Sequence, residues 1–362
     1  MRGDATQQAV MLSAVTPDQL VPPDHPIRRI KPIVERALRE LSPVFREMYE
    51  RNGRPSIPPE HLLKGSLLIA LYSMRSERQF CERLQYDLLF KWFLDLNITD
   101  RAFDPSTFSK NRMRLLKHDV ARRFFAAVVA EAKRRRLLSA DHFSVDGTLL
   151  EAWASQKSYR PRDEDDPPAA GAGRNPEVDF HGERRRRETH RSSTDPEALL
   201  YRKGRGQAAK LCFAGHVLIE NRNGLVVDVE LTQATGTAER EAALAMLRRR
   251  AATGRRATVA ADRGYDTRDF VAACRGEGVT PHVACHTVNR RSAIDGRTTR
   301  HSGYERSQRR RRVVEEVFGW MKTVGGGRKL RFIGVMRNQL WVQFMASAYN
   351  LVRMAKLETA AT

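Results

Sequence analysis

The sequence predicts an α/β protein in which a domain built on a mixed sheet follows an all-α N-terminal domain. Three observations predict it. Apolar residues recur at helical spacing through most of the first 136 positions. From Asp141 the pattern changes to strand-like runs, two of them joined by Asn221-Arg222-Asn223-Gly224. Asn-Gly between apolar runs is a strong hairpin signal. After the hairpin, helical and strand-like segments alternate.

Residues 1–25 show no convincing period. From Arg28 to Glu50, Ile30, Ile33, Val34, Ala37, Leu38, Leu41, Val44, Phe45 and Met48 fall on one helical face. Asn52-Gly53-Arg54-Pro55 breaks that helix, and Pro58-Pro59-Glu60 opens another, since proline suits a first turn. A third helix is expected from about Ser76 to Leu94. Asp104-Pro105-Ser106-Thr107 can cap a fourth that reaches Leu116 and carries Lys110, Arg112, Arg114 and Lys117. That helix reads equally as the recognition element of a helix–turn–helix or as the solvated basic face of a bundle. A helix from Asp119 to about Arg136 ends in Lys133-Arg134-Arg135-Arg136, and positive charge suits a helix C-terminus without any ligand.

The second half is expected to run as a strand through Asp146, the hairpin strands Leu211–Glu220 and Leu225–Leu231, and a helix over Ala238–Arg250. A strand ending at Asp262, a helix over Arg268–Arg275, a strand near Val279–Ala284 and a helix through Glu315 complete it. Residues 155–208 interrupt this order with an acidic run, Asp163-Glu164-Asp165-Asp166, and a basic run, Arg184-Arg185-Arg186-Arg187. They read as a flexible insertion or as a clamp whose arginines track phosphates. The expected units are therefore 1–136, 137–335 with the insertion at 155–208, and a C-terminal helical segment, 336–362, packing on the second.

Composition narrows the function classes. Lys+Arg 64 against Asp+Glu 43 leaves a net charge of +21, a field that attracts polyanions, though a generic nucleic-acid binder shares it. No apolar run approaches a membrane span and no secretory signal pattern is present, so a cytoplasmic protein is expected. Cys81, Cys212, Cys274 and Cys285 form no CxxC pair and read as free thiols. His282, Cys285 and His286 lack the second half of a zinc site, and His216 reads as a sheet histidine satisfied by its neighbours.

Three carboxylates stand where a two-metal nuclease site needs them. Asp146 and Asp262 each end an apolar run, and Glu315 lies inside a helix. At about 100° per residue, Arg311, Glu315, Lys322 and Gln308 share a stripe about 60° wide beside the apolar arc of Val314, Val317, Phe318 and Met321. Glu316 falls about 100° beyond Glu315, towards solvent. An i,i+4 Arg–Glu surface pair would explain the same stripe blandly. Asp266 and Glu316 are spare carboxylates. Trp153 offers a stacking face for a base, and core packing competes for it.

Arg311-x3-Glu315-x6-Lys322 resembles the signature of bacterial insertion-sequence DDE transposases, with Gln308 standing where that signature has tyrosine. Ser144-Val145-Asp146-Gly147-Thr148 and Ala261-Asp262-Arg263-Gly264-Tyr265-Asp266 are similar to its two aspartate motifs. Residues 24–116 resemble the helical domain of the insertion sequence five group, Tyr349-Asn350-Leu351-Val352-Arg353 its C-terminal end, and His190–Glu197 a segment common in the family. The resemblance implies a ribonuclease-H-like catalytic domain with Asp146, Asp262 and Glu315 as catalytic metal ligands. It implies two Mg²⁺ ions, for which Mn²⁺ can stand in, about 3.5–4 Å apart. Arg311, Lys322, Lys110, Arg112 and Arg114 become candidate DNA contacts. The partners expected are double-stranded DNA, as element ends and target, and further copies of the chain on it, in the nucleoid. A catalytically inactive or repurposed DNA-binding protein on the same scaffold is the competing reading.

Overall fold

The change of period near residue 140 is realised as a change of architecture in the computed structural model, which describes residues 16–49, 56–162, 189–202, 208–251, 256–287 and 291–361. The acidic run, the four-arginine run and the Asn52–Pro55 break fall outside them. The helical part comprises α1 (Pro17–Leu20), α2 (Ile27–Met48), α3 (Pro59–Leu71), α4 (Glu77–Tyr86), α5 (Leu88–Phe93), α6 (Ser106–Lys117) and α7 (Val120–Arg134). The single helix expected over 76–94 is two. Asp87 divides it by accepting the Phe90 amide at 3.0 Å and so capping α5. Part of the basic run at the end of α7 is glue: Arg134 and Arg135 both bond the buried carboxylate of Glu131.

The sheet begins with β1 (His142–Glu151), followed by a small ribbon of β2 (Tyr159–Pro161) and β3 (His190–Ser192). Then come β4 (Leu199–Tyr201), β5 (Lys210–Glu220), β6 (Val226–Gln233), α8 (Ala238–Ala251), β7 (Ala257–Ala261), α9 (Arg268–Gly276) and β8 (Val279–Val283). Helices α10 (Gly296–Arg300), α11 (Ser302–Arg310), α12 (Val313–Thr323) and α13 (Val335–Ala361) close the chain. The main strands lie in the order β6-β5-β1-β7-β8, and β4 extends the β6 edge of β5. β5 runs antiparallel to β1 and to β6, whereas β7 is parallel to β1 and β8 to β7. Three antiparallel strands followed by two parallel ones, with β1 central, is the ribonuclease-H-like arrangement.

Alternation along β1 sends its side chains to two cores. Phe143 and Val145 pack with Met246 and Leu247 of α8 and Phe270 of α9. Leu150 packs on the opposite face with Phe213, Val217, α12 and α13, in a core continuous with α2, α3 and α7. Helix α13 thus lies between the sheet and the helical part. Its polar residues serve the strand edge: Asn350 bonds both the amide (2.9 Å) and the carbonyl (2.7 Å) of Val226. Tyr349 donates to the Gly224 carbonyl at 3.1 Å and Arg353 to that of Asn223 at 2.8 Å. Unpaired strand groups would otherwise lie open on that edge. At Gly224, φ is +71° and a Cβ would meet Val313 at 2.8 Å, so the hairpin requires glycine there.

The described ends of the insertion are not a spacer. Glu197 accepts the Val335 amide at 2.8 Å and the buried Asp195 accepts the Gly334 amide at 3.2 Å, which caps the start of α13.

Candidate active site

Strand register brings two of the three expected carboxylates together. The parallel ladder pairs Ser144 with Ala260 and stops there. Two residues further along each chain, on the same face, stand Asp146 and Asp262. The Asp146 side chain turns back to accept its neighbour Gly147's amide at 2.8 Å, and Asp262 accepts the Gly264 amide at 2.8 Å. Burial pushes the Asp146 carboxyl up to about 7; the negative charges of Asp262 and Glu239 push the same way, and Arg311 opposes them. A carboxylate held in that state is one that a cation would ionise.

Three contacts set the last helices along β1. Ser307 of α11 bonds His142 Nε2 at 2.7 Å and His282 Nδ1 at 2.6 Å. Arg311 is among the charges that Asp146 feels, and its Nε is buried with no hydrogen-bond partner among the described residues. Lys322 donates to Thr148 Oγ1 at 2.5 Å. The backbone at Arg311 and Arg312 stays in the right-handed helical region, so the break between α11 and α12 preserves the phase. Glu315 falls between Arg311 and Lys322 on that stripe, exposed, its side chain without a hydrogen bond or ion pair among the described residues. Val314, Val317, Phe318 and Met321 bury the adjoining face, and Glu316 is exposed, as the helical phase required. Gln308 donates to the His282 carbonyl and so ties α11 to β8.

Other candidates are accounted for structurally. Asp266 is buried; burial alone would raise its carboxyl, but the amides of His286 (2.7 Å) and Ala293 (2.8 Å) hold it below its usual value. His216 is fully buried and only half satisfied: Nε2 meets Thr232 Oγ1 at 2.8 Å, Nδ1 has no partner among the described residues, and burial lowers its pKa to about 4. His282 is committed to Ser307, and Cys285 lies 3.5 Å from the Tyr304 hydroxyl. Trp153 is exposed rather than packed, with Lys329 5.8 Å from its ring centroid. On α6, Lys110 and Arg114 are exposed, Arg114 lying 4.5 Å over the Tyr49 ring. Arg112 instead turns inward, ion-paired to Glu77 and 4.1 Å from the Phe332 ring.

The sequence pattern gave no place at this site to Glu239, in the first turn of α8. Its side chain lies against Gly147 so closely that a Cβ there would stand 2.8 Å from Glu239 Cγ. The only advance signal is the glycine directly after Asp146.

Among the described residues, no three acidic, histidine or cysteine side chains stand close enough to hold a metal ion as they lie. A hydrated divalent cation, however, needs only one or two protein carboxylates, with waters and substrate phosphates completing its shell. No helix among the described residues is long and apolar enough to cross a membrane.

Residues 139–351 match the family described as Transposase DDE domain, and residues 15–114 match the Transposase domain known as DUF772. No curated protein matches the chain at a significant level. Among solved structures, the pre-cleavage Mos1 transpososome is similar at 10% identity, over 86% of this chain and 81% of that one, with a TM-score of 0.21. The Mos1 strand transfer complex is similar at 10% identity, over 78% and 82%, with a TM-score of 0.20. Superposition at that level is loose, so the fold rests on its own strand order.

Proposed function

The chain belongs to the DDE transposase family, enzymes that cut DNA and join it to new sites, and we propose from that premise how its residues divide the work. Asp146 and Asp262 would hold divalent cations, Mg²⁺ in the cell, with Glu315 as the third carboxylate. The observation that carries this reading is the register of β1 and β7, which sets Asp146 and Asp262 side by side where the ladder ends. When bound, the ions would activate the attacking oxygen and stabilise the departing one.

The chain's own residues do the rest. Arg311 and Lys322 flank Glu315 and approach the strand carrying Asp146, the place for cations that neutralise a phosphate during transfer. Arg311 already opposes the negative charge around Asp146, and the same positive charge would attract a phosphate. Lys110 and Arg114 on α6 supply exposed charge for the DNA backbone, in the helical unit ending near 136. Arg112, turned inward, supports that unit's packing instead. Element ends and target DNA are the proposed substrates, and a second copy of the chain on the DNA is the proposed partner.

Labelled DNA carrying the element's own ends tests this directly. With Mg²⁺ or Mn²⁺ the wild type should nick at the end, whereas Asp262→Asn should bind the end without nicking. End binding without any cutting by the wild type would instead mark a catalytically inactive copy.

A further inference from the structure

Glu239 and Glu241 both lie in the first turn of α8, where the helix dipole favours acids. Both are exposed, and the dipole is enough to account for Glu241. It does not account for the position of Glu239. That side chain reaches onto β1, and the ideal Cβ position of Gly147 lies 2.8 Å from its Cγ and 3.0 Å from its Oε1. Only glycine beside Asp146 leaves room for it. The Glu239 side chain makes no hydrogen bond or ion pair among the described residues. Its neighbour Arg240 is spent on backbone carbonyls, those of Gly264 (3.2 Å) and Gly236 (3.3 Å).

A second observation points into the same space. Tyr265 is fully buried, its ring edge-on to Phe270 at 5.2 Å, and its hydroxyl has no hydrogen-bond partner among the described residues. Burial holds that proton on, and the negative charges of Glu239, Asp146 and Asp262, in that order, add to the effect. A buried hydroxyl without a partner is costly, so a donor left beside three carboxylates fits a carboxylate or water that a bound ion would order.

We propose that Glu239 is a further metal-ligating carboxylate of this site, acting with Asp262 on a divalent cation, with the Tyr265 hydroxyl positioned to orient it. The proposal rests on the metal-site reading of Asp146 and Asp262. It gives the site four acidic side chains drawn from β1, α8, the end of β7 and α12.

Mn²⁺ binding to the full-length chain, measured by calorimetric titration without DNA, tests it apart from activity. Glu239→Gln should weaken Mn²⁺ affinity about tenfold or more, and Glu239→Asp should recover part of the loss. Gly147→Ala should weaken it similarly, because the new methyl group displaces the flexible Glu239 side chain. Glu241→Gln, in the same helical turn, should leave affinity unchanged. If Asp262→Asn weakens Mn²⁺ binding while Glu239→Gln binds as the wild type does, Glu239 is not a ligand and the site reading stands. If Asp262→Asn also binds as the wild type does, the metal-site reading fails and this inference fails with it. Equal losses in Glu239→Gln and Glu241→Gln would reduce the effect to helix charge and overturn the assignment.

Discussion

The two ends of one face of β1 treat polar groups in opposite ways. At His142 and Ser144 they satisfy one another: Ser307 joins His142 to His282, and Ser144 donates to Asn221 at 2.7 Å. Beside them, Glu220 accepts the amides of Ser139 and Arg222, each at 3.1 Å. A few residues along, Asp146 stands among like charges, with the Tyr265 hydroxyl and Arg311 Nε nearby and without a partner among the described residues. The first end is closed mainly by the chain's own groups, Asn221 Nδ2 being without a partner among the described residues, and it holds α11 to the sheet. The second is an arrangement that folding alone does not favour, and it becomes intelligible once a cation and a phosphate are added.

The largest expected effect lies at the second end. Asp262→Asn should lower end cleavage by at least about 100-fold while end binding persists, as a gel-based cleavage and binding series would show. Chelation of the metal should have the same outcome in the wild type and be reversed by Mn²⁺.

Acidity should separate the two ends by sign. The folded Asp146 carboxyl titrates near 7 instead of 3.8, so its contribution to stability is present below about pH 4 and lost as pH rises through 7. Burial lowers His282 from 6.5 to about 4, with His142 and His301 adding to the effect, so its contribution is present above 6.5 and lost as pH falls through 4. Thermal melts of metal-free protein should show Asp146→Asn gaining a few degrees over the wild type at pH 8 and little at pH 5. Mn²⁺ at pH 8 should stabilise the wild type more than the variant.

At the first end, Ser307→Ala leaves one buried and one half-buried imidazole nitrogen without their partner and should cost about 1–3 kcal/mol in urea unfolding. Glu316→Gln, exposed and turned away, should change stability by less than about 0.5 kcal/mol and leave cleavage alone.

Legibility in the sequence follows the same division. Asp146 and Asp262 stand out as candidates because each ends an apolar run, and the helical phase turns Glu315 and Glu316 to different sides. Glu239 was not visible: nothing local distinguishes it from Glu241, and its placement depends on a glycine 92 positions earlier. Arg112 reads as one of a row of surface cations, but Glu77 and Phe332 draw it inward, and only tertiary packing supplies them. In the sequence, the segment Tyr349–Arg353 carries only a resemblance. Its work, closing the β6 edge and the hairpin, requires knowing that α13 lies along that strand. Asp87 was the one missed local signal, an aspartate three residues before Phe90 that caps a new helix inside an apparently continuous period.

The central claim is that Glu315 completes a metal-dependent site with Asp146 and Asp262. The most direct measurement is cleavage of labelled element-end DNA in Mg²⁺ and in Mn²⁺ by the wild type and by Glu315→Gln, with end binding followed in parallel. The account predicts metal-dependent nicking at the end that disappears in Glu315→Gln while binding persists. Nicking by Glu315→Gln at the wild-type rate would contradict it.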